Sequence, residues 1–507
     1  MKLEAIDLQQ KSANNKILLT ADRTLMSDYH RNIFLGFGTC APHNVIPDWL
    51  YSWLFFPPIK TKKGVPTAAP YGLRKIEAQL LNEGFDISTV APNHLKKHIG
   101  EAEVLGIHVM DPFGLGPASS TLASIMKNEP FLAQYFRALL NNSEVKKAKK
   151  RGLKIIVGGP GVWQFHYRPK FVEEYGIDCI VEGEAERVIG KIFHAALAGE
   201  DLPQYYEVDV KETPSLEEIP DIKGPSVNGL IEVGRGCCRG CEFCSVTLRP
   251  LRWYPYEKIL REIDVNINVG NINWSCLHGE DVLLYGSKNT LPNDEKLIKL
   301  HELVVKKCEG ICWSHCSLAA IASKPKLFSK IAEIILQKQP WWSAEIGIET
   351  GSSDLIKKIM PAKAHPFKPE QWPEVVRTSM GLMHDNKLIP ACTLIVGAPE
   401  ETEDDLIKTI ELMDDLRDVR SLIVPLFFVP MGRLKDEQWF KERQMSELHK
   451  ELLVKCAEHD FYWVEKLIDL SFAGKWYAGI LQSFYKVFAR IAKYKAKKAG
   501  ITIKGYR

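Results

Sequence analysis

A chain of 507 residues is long enough for two or three domains with substantial cores. Hydrophobic residues at 45% and charged residues at 25% are ordinary for a soluble globular protein, and a formal charge of +3 gives no global basic field, so no nucleic-acid partner is expected. Met1–Thr20 lacks a secretory pattern and no apolar run reaches membrane-spanning length; a cytoplasmic address is therefore expected, with the twelve cysteines as thiols or metal ligands rather than disulfides.

In chain order, Lys16–Thr20 reads as a short apolar strand. Gly72–Asn82 places Leu73, Ile76, Leu80 and Leu81 at helical spacing, with Gly84 as a stop. Ala102–Val109, Lys154–Val157 and Cys179–Val181 are further strands. The last two run into the turns Gly158-Gly159-Pro160-Gly161 and Glu182-Gly183-Glu184. This alternation predicts an α/β fold whose first domain, residues 1–201, is a doubly wound, Rossmann-like parallel sheet that binds ligands at the carboxyl ends of its strands. The proline- and lysine-rich stretch Phe55–Pro70 is expected to be a surface loop, and residues 202–227 a polar linker.

Strand–helix alternation resumes at Asn228. Candidate strands are Leu230–Gly234, Ile272–Leu277, Ile311–Ser317, Ser343–Glu349, Cys392–Gly397 and Leu422–Val429. Six repeats are too few for a closed eight-stranded barrel and predict an open, partial (β/α)6 barrel over 228–434, with its chemistry at the strands' carboxyl ends. Residues 435–507 read as helical.

The first barrel strand leads into Gly236-Cys237-Cys238-Arg239-Gly240-Cys241-Glu242-Phe243-Cys244. Thiolates spaced C-x3-C-x2-C on a tight loop suit three irons of a cubane and leave the fourth open to a chelating small molecule. Zinc is the alternative, with Cys238 making up a fourth ligand, but zinc sites commonly pair C-x2-C units.

This motif resembles that of the radical S-adenosylmethionine (SAM) superfamily, and four further places match. His278-Gly279-Glu280-Asp281 looks like the family's Gly-Gly-Glu motif, which implies that Gly279 and Glu280 hold the SAM amino group. Phe243 takes the aromatic position beside the adenine. Gly347-Ile348-Glu349-Thr350-Gly351-Ser352 is similar to the segment near the ribose, implicating Glu349 and Ser352. Thr393–Thr402 is similar to the adenine-contacting strand and turn, implicating Gly397. The resemblance spans about Asn228 to Val429 and implies a [4Fe–4S] cluster on Cys237, Cys241 and Cys244, SAM as co-substrate, a low-potential electron donor as partner, and a 5′-deoxyadenosyl radical that abstracts hydrogen from an unactivated C–H bond. It does not name the radical-quenching residue; Tyr285, just past the SAM motif, reads as a packing residue.

A doubly wound domain ahead of this barrel resembles the cobalamin-binding (class B) radical SAM proteins. That likeness implies cobalamin contacts at Ser119, Ser120, Gly158, Gly159, Pro160, Glu182 and Gly183. The Asp-x-His-x-x-Gly signature that supplies a cobalt ligand is absent, so a retained scaffold without cofactor is the competing reading. Cys308, Cys312 and Cys316 read either as a second cluster or, more simply, as buried packing thiols. His315 reads as a core histidine or a proton donor. Residues 476–498 form a basic amphipathic helix, either docked on the barrel or lying at a membrane surface. His278–Gly286 and Val424–Gly432 look like segments of archaeal tetraether-lipid ring or bridge synthases. The reading that follows is C–C bond formation in isoprenoid lipid biosynthesis, with a lipid substrate and peripheral membrane contact. The alternatives are a cobalamin-dependent C-methyltransferase and, from another class, a non-catalytic iron–sulfur sensor.

Overall fold

The computed structural model describes residues 16–472 and 478–498. Two compact units are present: Met1–Ile231 with Tyr254–Cys276, and Glu232–Trp253 with Leu277–Arg507.

The first unit holds a six-stranded parallel sheet of β1 (Ile17–Ala21), β2 (Ile87–Thr89), β3 (Val104–His108), β4 (Lys154–Gly158), β5 (Cys179–Glu182) and β6 (Tyr205–Glu207). Its order, β2-β1-β3-β4-β5-β6, reverses between β1 and β3. The strands are near-continuous apolar runs because both faces are covered. Ile17, Leu19, Val104 and Ile156 enter one core cluster, while Leu18, Leu105, Ile155 and Val157 enter the other. Each such buried aliphatic side chain contributes about 1.5–3 kcal/mol.

Helices α1 (Tyr71–Asn82) and α2 (Pro117–Met126) belong to this unit, as does α3 (Tyr256–Gly270), which follows the cysteine loop in sequence. A buried ion pair ties α1 to α3: the Lys75 ammonium meets the Glu262 carboxylate, which also accepts from Tyr71 Oη at 2.6 Å, and Lys75 Nζ donates to Pro220 O at 2.8 Å.

Two segments differ from expectation. β6 lies inside the stretch read as a linker, where the short run Tyr205–Glu207 pairs with β5. The proline-rich stretch forms an antiparallel hairpin, Thr61–Lys62 with Val65–Pro66, and buries Phe56, Ile59, Ala68 and Ala69, so it is not a simple surface loop.

The strands beyond residue 228 include β7 (Leu230–Glu232), β8 (Trp274–His278), β9 (Gly310–Trp313), β10 (His315–Cys316), β11 (Trp342–Glu349), β12 (Leu388–Val396) and β13 (Leu422–Phe427). They form sheets of order β9-β8-β7 and β10-β11-β12-β13. One strand was expected over Ile311–Ser317; it breaks at Ser314. The backbone there bridges the two sheets, with Ser314 N donating to Leu277 O and Ser314 O accepting from Glu345 N, both at 2.9 Å. Trp342 packs outward against Trp313 and Phe328, so Glu345, an odd number of residues along β11, faces the opposite side.

A short helix, α4 (Ser353–Ile359), follows β11, and the chain ends in α5 (Glu447–Phe472) and α6 (Ala478–Lys498). Helix α6 docks on α5 through Tyr485 Oη, which donates to Phe461 O at 2.9 Å, while Ile480, Val487 and Tyr494 recur on its exposed side. Trp476 and Tyr477, and the side chains of Leu481, Phe488, Lys495 and Lys498, lie outside the described residues. Among the described residues no helix is long and apolar enough to cross a membrane.

Candidate functional site

The cysteine loop is fastened on several sides. Arg239, 4% exposed, lies between the first two motif cysteines. Its guanidinium pairs with Asp281 at 3.3 Å and donates to Ser317 Oγ at 2.7 Å and to the carbonyls of Ala362, Lys363 and His365 at 3.3, 3.1 and 3.0 Å. Glu242 N donates to Ile359 O at 3.1 Å, and Arg433 N donates to Glu242 O at 2.7 Å. Gly432 is glycine because a Cβ there would stand 2.6 Å from Glu242 O and 2.8 Å from Cys244 O.

Burial pushes the thiols of Cys237, Cys241 and Cys244 up, Cys237 to about 12. Positive charge opposes this: Arg239 acts on Cys237, and Lys363 acts on Cys241 and Cys244. Metal ligation needs the thiolate, which these cations favour against the burial. Among the described residues no three His, Cys, Asp or Glu side chains converge on one point as ligands of a single ion. Three thiols on one loop with cations beside them fit the ligand set of a cluster, whose cysteines each hold a different iron. Cys308, Cys312 and Cys316 are all buried, and Cys316 is raised well above the ordinary thiol value by burial and neighbouring Asp281, with no cation opposing it. They fit the packing role.

The expected SAM residues divide. Gly279 is buried beside Ser314, its N–H 3.3 Å from Ser314 Oγ. Glu280 has no ion pair or hydrogen bond among the described residues, and its charge reaches Cys244, His278 and His315. A carboxylate left open beside the cluster loop suits an ammonium group. Phe243 is half-buried on the loop itself. Glu349, at φ 65°, turns onto Lys363 (3.0 Å) and accepts from Thr393 Oγ1 at 3.2 Å. Gly397 donates to Glu401 Oε2 at 2.8 Å and lies beneath the Phe440 ring. Ser352 is fully buried; its hydroxyl donates to Asp405 and caps α4 by accepting from Asp354 N and Leu355 N at 3.2 and 3.3 Å. That hydroxyl is engaged within the protein, so capping is the role its contacts describe.

Sequence reasoning missed Arg239 and Lys363, and it named His315 as a core histidine or a proton donor without showing that it pairs with His278. Ser314 Oγ stands 2.9 Å from His278 Nδ1 and 3.1 Å from His315 Nδ1, while His315 Nε2 pairs with Glu345 at 3.1 Å. Burial by itself lowers the His315 pKa, but Glu345, with Glu280 and Asp281, raises it to about 9. The His315 side chain is still 40% exposed, which softens the burial effect and favours the raised value. His278 moves the other way, lowered by burial and then by the charge on His315, against Glu232, Glu280 and Glu345. At neutral pH a cationic imidazole thus stands one hydroxyl away from a neutral one, a pairing suited to proton transfer. His315 is an ion-paired group at the site rather than a satisfied core histidine.

Glu345→Gln is expected to drop the His315 titration midpoint from about 9, because Glu345 supplies the two largest influences that raise it. Histidine Cε1 NMR titration reads this, and an unchanged midpoint would refute the pairing. Because the folded value is raised, the ion pair's contribution to stability is full below about pH 6.5, the unfolded value. It is lost as pH rises through about 9.

The predicted cobalamin residues lie in the first unit. Gly158 ends β4, with Gly159 and Pro160 following; Glu182 ends β5, pairing with His166 at 2.8 Å, and Gly183 follows. Ser120 Oγ donates to Pro117 O at 3.2 Å. Ser119, fully buried in α2, has a hydroxyl with no partner.

Residues 231–413 match the Radical SAM superfamily model. The chain carries a radical SAM domain. Curated relatives of this domain include the tRNA-2-methylthio-N(6)-dimethylallyladenosine synthases of Orientia tsutsugamushi, 24% identical over 55% of this chain and 60% of that one, and of Thermotoga petrophila, 26% identical over 52% and 57%. The chain thus spans about 60% of the length of these relatives. Among solved structures, the radical S-adenosylmethionine methyltransferase TsrM from Kitasatospora setae, with cobalamin and a [4Fe–4S] cluster bound, aligns over 83% of this chain and 77% of its own at a TM-score of 0.53 and 14% identity. That likeness is one of fold, and it extends well beyond the radical SAM domain.

Proposed function

We propose that this chain is a radical SAM enzyme that holds a [4Fe–4S] cluster on Cys237, Cys241 and Cys244 and SAM against Glu280. When bound, cluster and SAM together supply a 5′-deoxyadenosyl radical. The observation that carries the reading is the loop itself: three thiols with nearby cations, bolted by Arg239, next to a carboxylate that the protein leaves open. Glu280 takes the SAM ammonium, and Lys363, held by Glu349 beside Cys241, provides positive charge for the SAM carboxylate. The histidine pair moves a proton at the substrate.

Cobalamin in the first unit is supported by the sheet order, whose reversal marks a ligand crevice, by the unpartnered buried hydroxyl of Ser119, and by the fold shared with TsrM. Of the readings open from sequence, cobalamin-dependent methyl transfer fits better than coupling of isoprenoid lipid chains. Glu345, His315 and His278 put charged and polar groups near Glu280, which suits a substrate with a polar reacting end.

The test is anaerobic reconstitution of the full chain with iron, sulfide, hydroxocobalamin and SAM, followed by reduction and mass spectrometry. 5′-Deoxyadenosine above the level of the Cys241→Ala variant supports radical SAM chemistry, and its absence with an intact cluster overturns it. S-adenosylhomocysteine formed only with cobalamin supports methyl transfer. A coupled isoprenoid product from added archaeal lipid, without S-adenosylhomocysteine, would favour the lipid reading instead.

A further inference from the structure

This inference rests on the cobalamin reading. His108 is the last residue of β3 and stands in register with Ala21 of β1 and Gly158 of β4. It therefore sits at the carboxyl edge of the sheet where the strand order reverses, the place where open α/β sheets take their ligands. Two glycines make room for its ring. A Cβ on Gly72, in the first turn of α1, would stand 3.1 Å from His108 Cε1, and one on Gly159 would stand 2.9 Å from Nδ1.

The two histidines that are buried outright have hydrogen-bond partners. His301 bonds Leu297 O at 2.7 Å and accepts from Trp313 Nε1 at 2.9 Å, and His459 bonds Ser421 Oγ at 2.9 Å. Among the described residues His108 makes no hydrogen bond or ion pair. Burial lowers its pKa to about 4, so at neutral pH the ring is uncharged and keeps a free lone pair. His108 is half-buried rather than sealed in, and a neutral imidazole nitrogen that no protein group engages is a strong donor to a transition metal.

The geometry points to His108 as the axial ligand that this chain offers to the cobalt of bound cobalamin, through Nε2. Coordination is donation of the imidazole lone pair into the axial position, displacing water or the cofactor's own benzimidazole, with no change in oxidation state. It supplies from β3 the donor that the absent Asp-x-His-x-x-Gly signature would otherwise bring.

The experiment uses the full chain loaded with hydroxocobalamin and mildly reduced to cob(II)alamin, with electron paramagnetic resonance on protein carrying natural or 15N-imidazole histidine. One axial nitrogen splits each line into three with 14N and into two with 15N. The expected result is a three-line pattern that becomes two-line only in the labelled protein and is lost in His108→Ala. A three-line pattern that persists in labelled protein assigns the axial base to the cofactor and overturns the inference, as does a spectrum without nitrogen splitting. If the wild-type chain retains no cobalamin, the cobalamin reading itself fails. A chain that retains cobalamin without histidine splitting refutes only the ligand.

Discussion

Cys241→Ala is expected to reduce 5′-deoxyadenosine formation to background and to lower the iron retained after anaerobic reconstitution, while the chain stays folded. Cys241 is the most enclosed of the three motif thiols, at 7% exposure, and Lys363 and Arg239 both favour its ionised form. With one thiolate gone, two protein bonds remain for a cubane that needs three, and the open iron that chelates SAM loses its fixed position. The loss should exceed the roughly 10–100-fold drop typical of removing only a supporting partner of a ligand. Cys238→Ala and Cys312→Ala are the controls. Cys238 is adjacent but outside the C-x3-C-x2-C spacing, and Cys312 sits in the β9 core, so both variants should keep the cluster's visible absorbance and deoxyadenosine formation. If Cys238→Ala failed as Cys241→Ala does, the ligand set would be wrong. If Cys241→Ala cleaved SAM at the wild-type rate, the site itself would be misplaced.

Much of this site was legible in the sequence because its information is local. Three cysteines within eight residues on a strand-to-loop junction specify their own chemistry, and Gly279-Glu280 lies at the end of the next strand. The doubly wound sheet was legible for a similar reason: apolar runs buried on both faces announce parallel strands without reference to anything distant. What escaped was non-local or masked by a stronger local pattern. Arg239 reads as one more loop arginine until Asp281, Ser317 and the 362–365 carbonyls close on it from three separate segments. Ser314 lay inside an apparently continuous strand, and only the break there sets its hydroxyl between His278 and His315. Ser352 carries a second local signal. A serine at a strand end was read by family likeness, and Ser352-Ser353-Asp354 before Leu355 and Ile356 is also the signature of a helix start, where the buried hydroxyl caps α4. His108 was hidden as the polar end of an apolar strand; nothing in its neighbours' identity reveals that its ring goes unpartnered.

The largest stability effect outside the cysteines is expected at the Arg239–Asp281 pair. Both side chains are about 5% exposed or less, 5% and 3%. Removing one partner of such a pair strands a buried charge and costs about 3–5 kcal/mol. Arg239→Ala should therefore lower the thermal midpoint by roughly 10 °C, at about 2–4 °C per kcal/mol for a unit of this size. It should also release the cysteine loop, because the carbonyls of Ala362, Lys363 and His365 lose their shared donor. Destabilisation and loss of the cluster would then coincide, so a second variant is needed to separate them. In Arg239→Met/Asp281→Leu an apolar contact replaces the charges, a change that is often neutral or stabilising. Its thermal midpoint should recover most of the loss, yet no group in it ties the loop to the 362–365 carbonyls. Iron retention and deoxyadenosine formation should therefore stay low. If the double variant regains both stability and cluster, Arg239 serves only the fold. If it regains stability alone, the arginine holds the loop in the position where three thiolates can meet three irons.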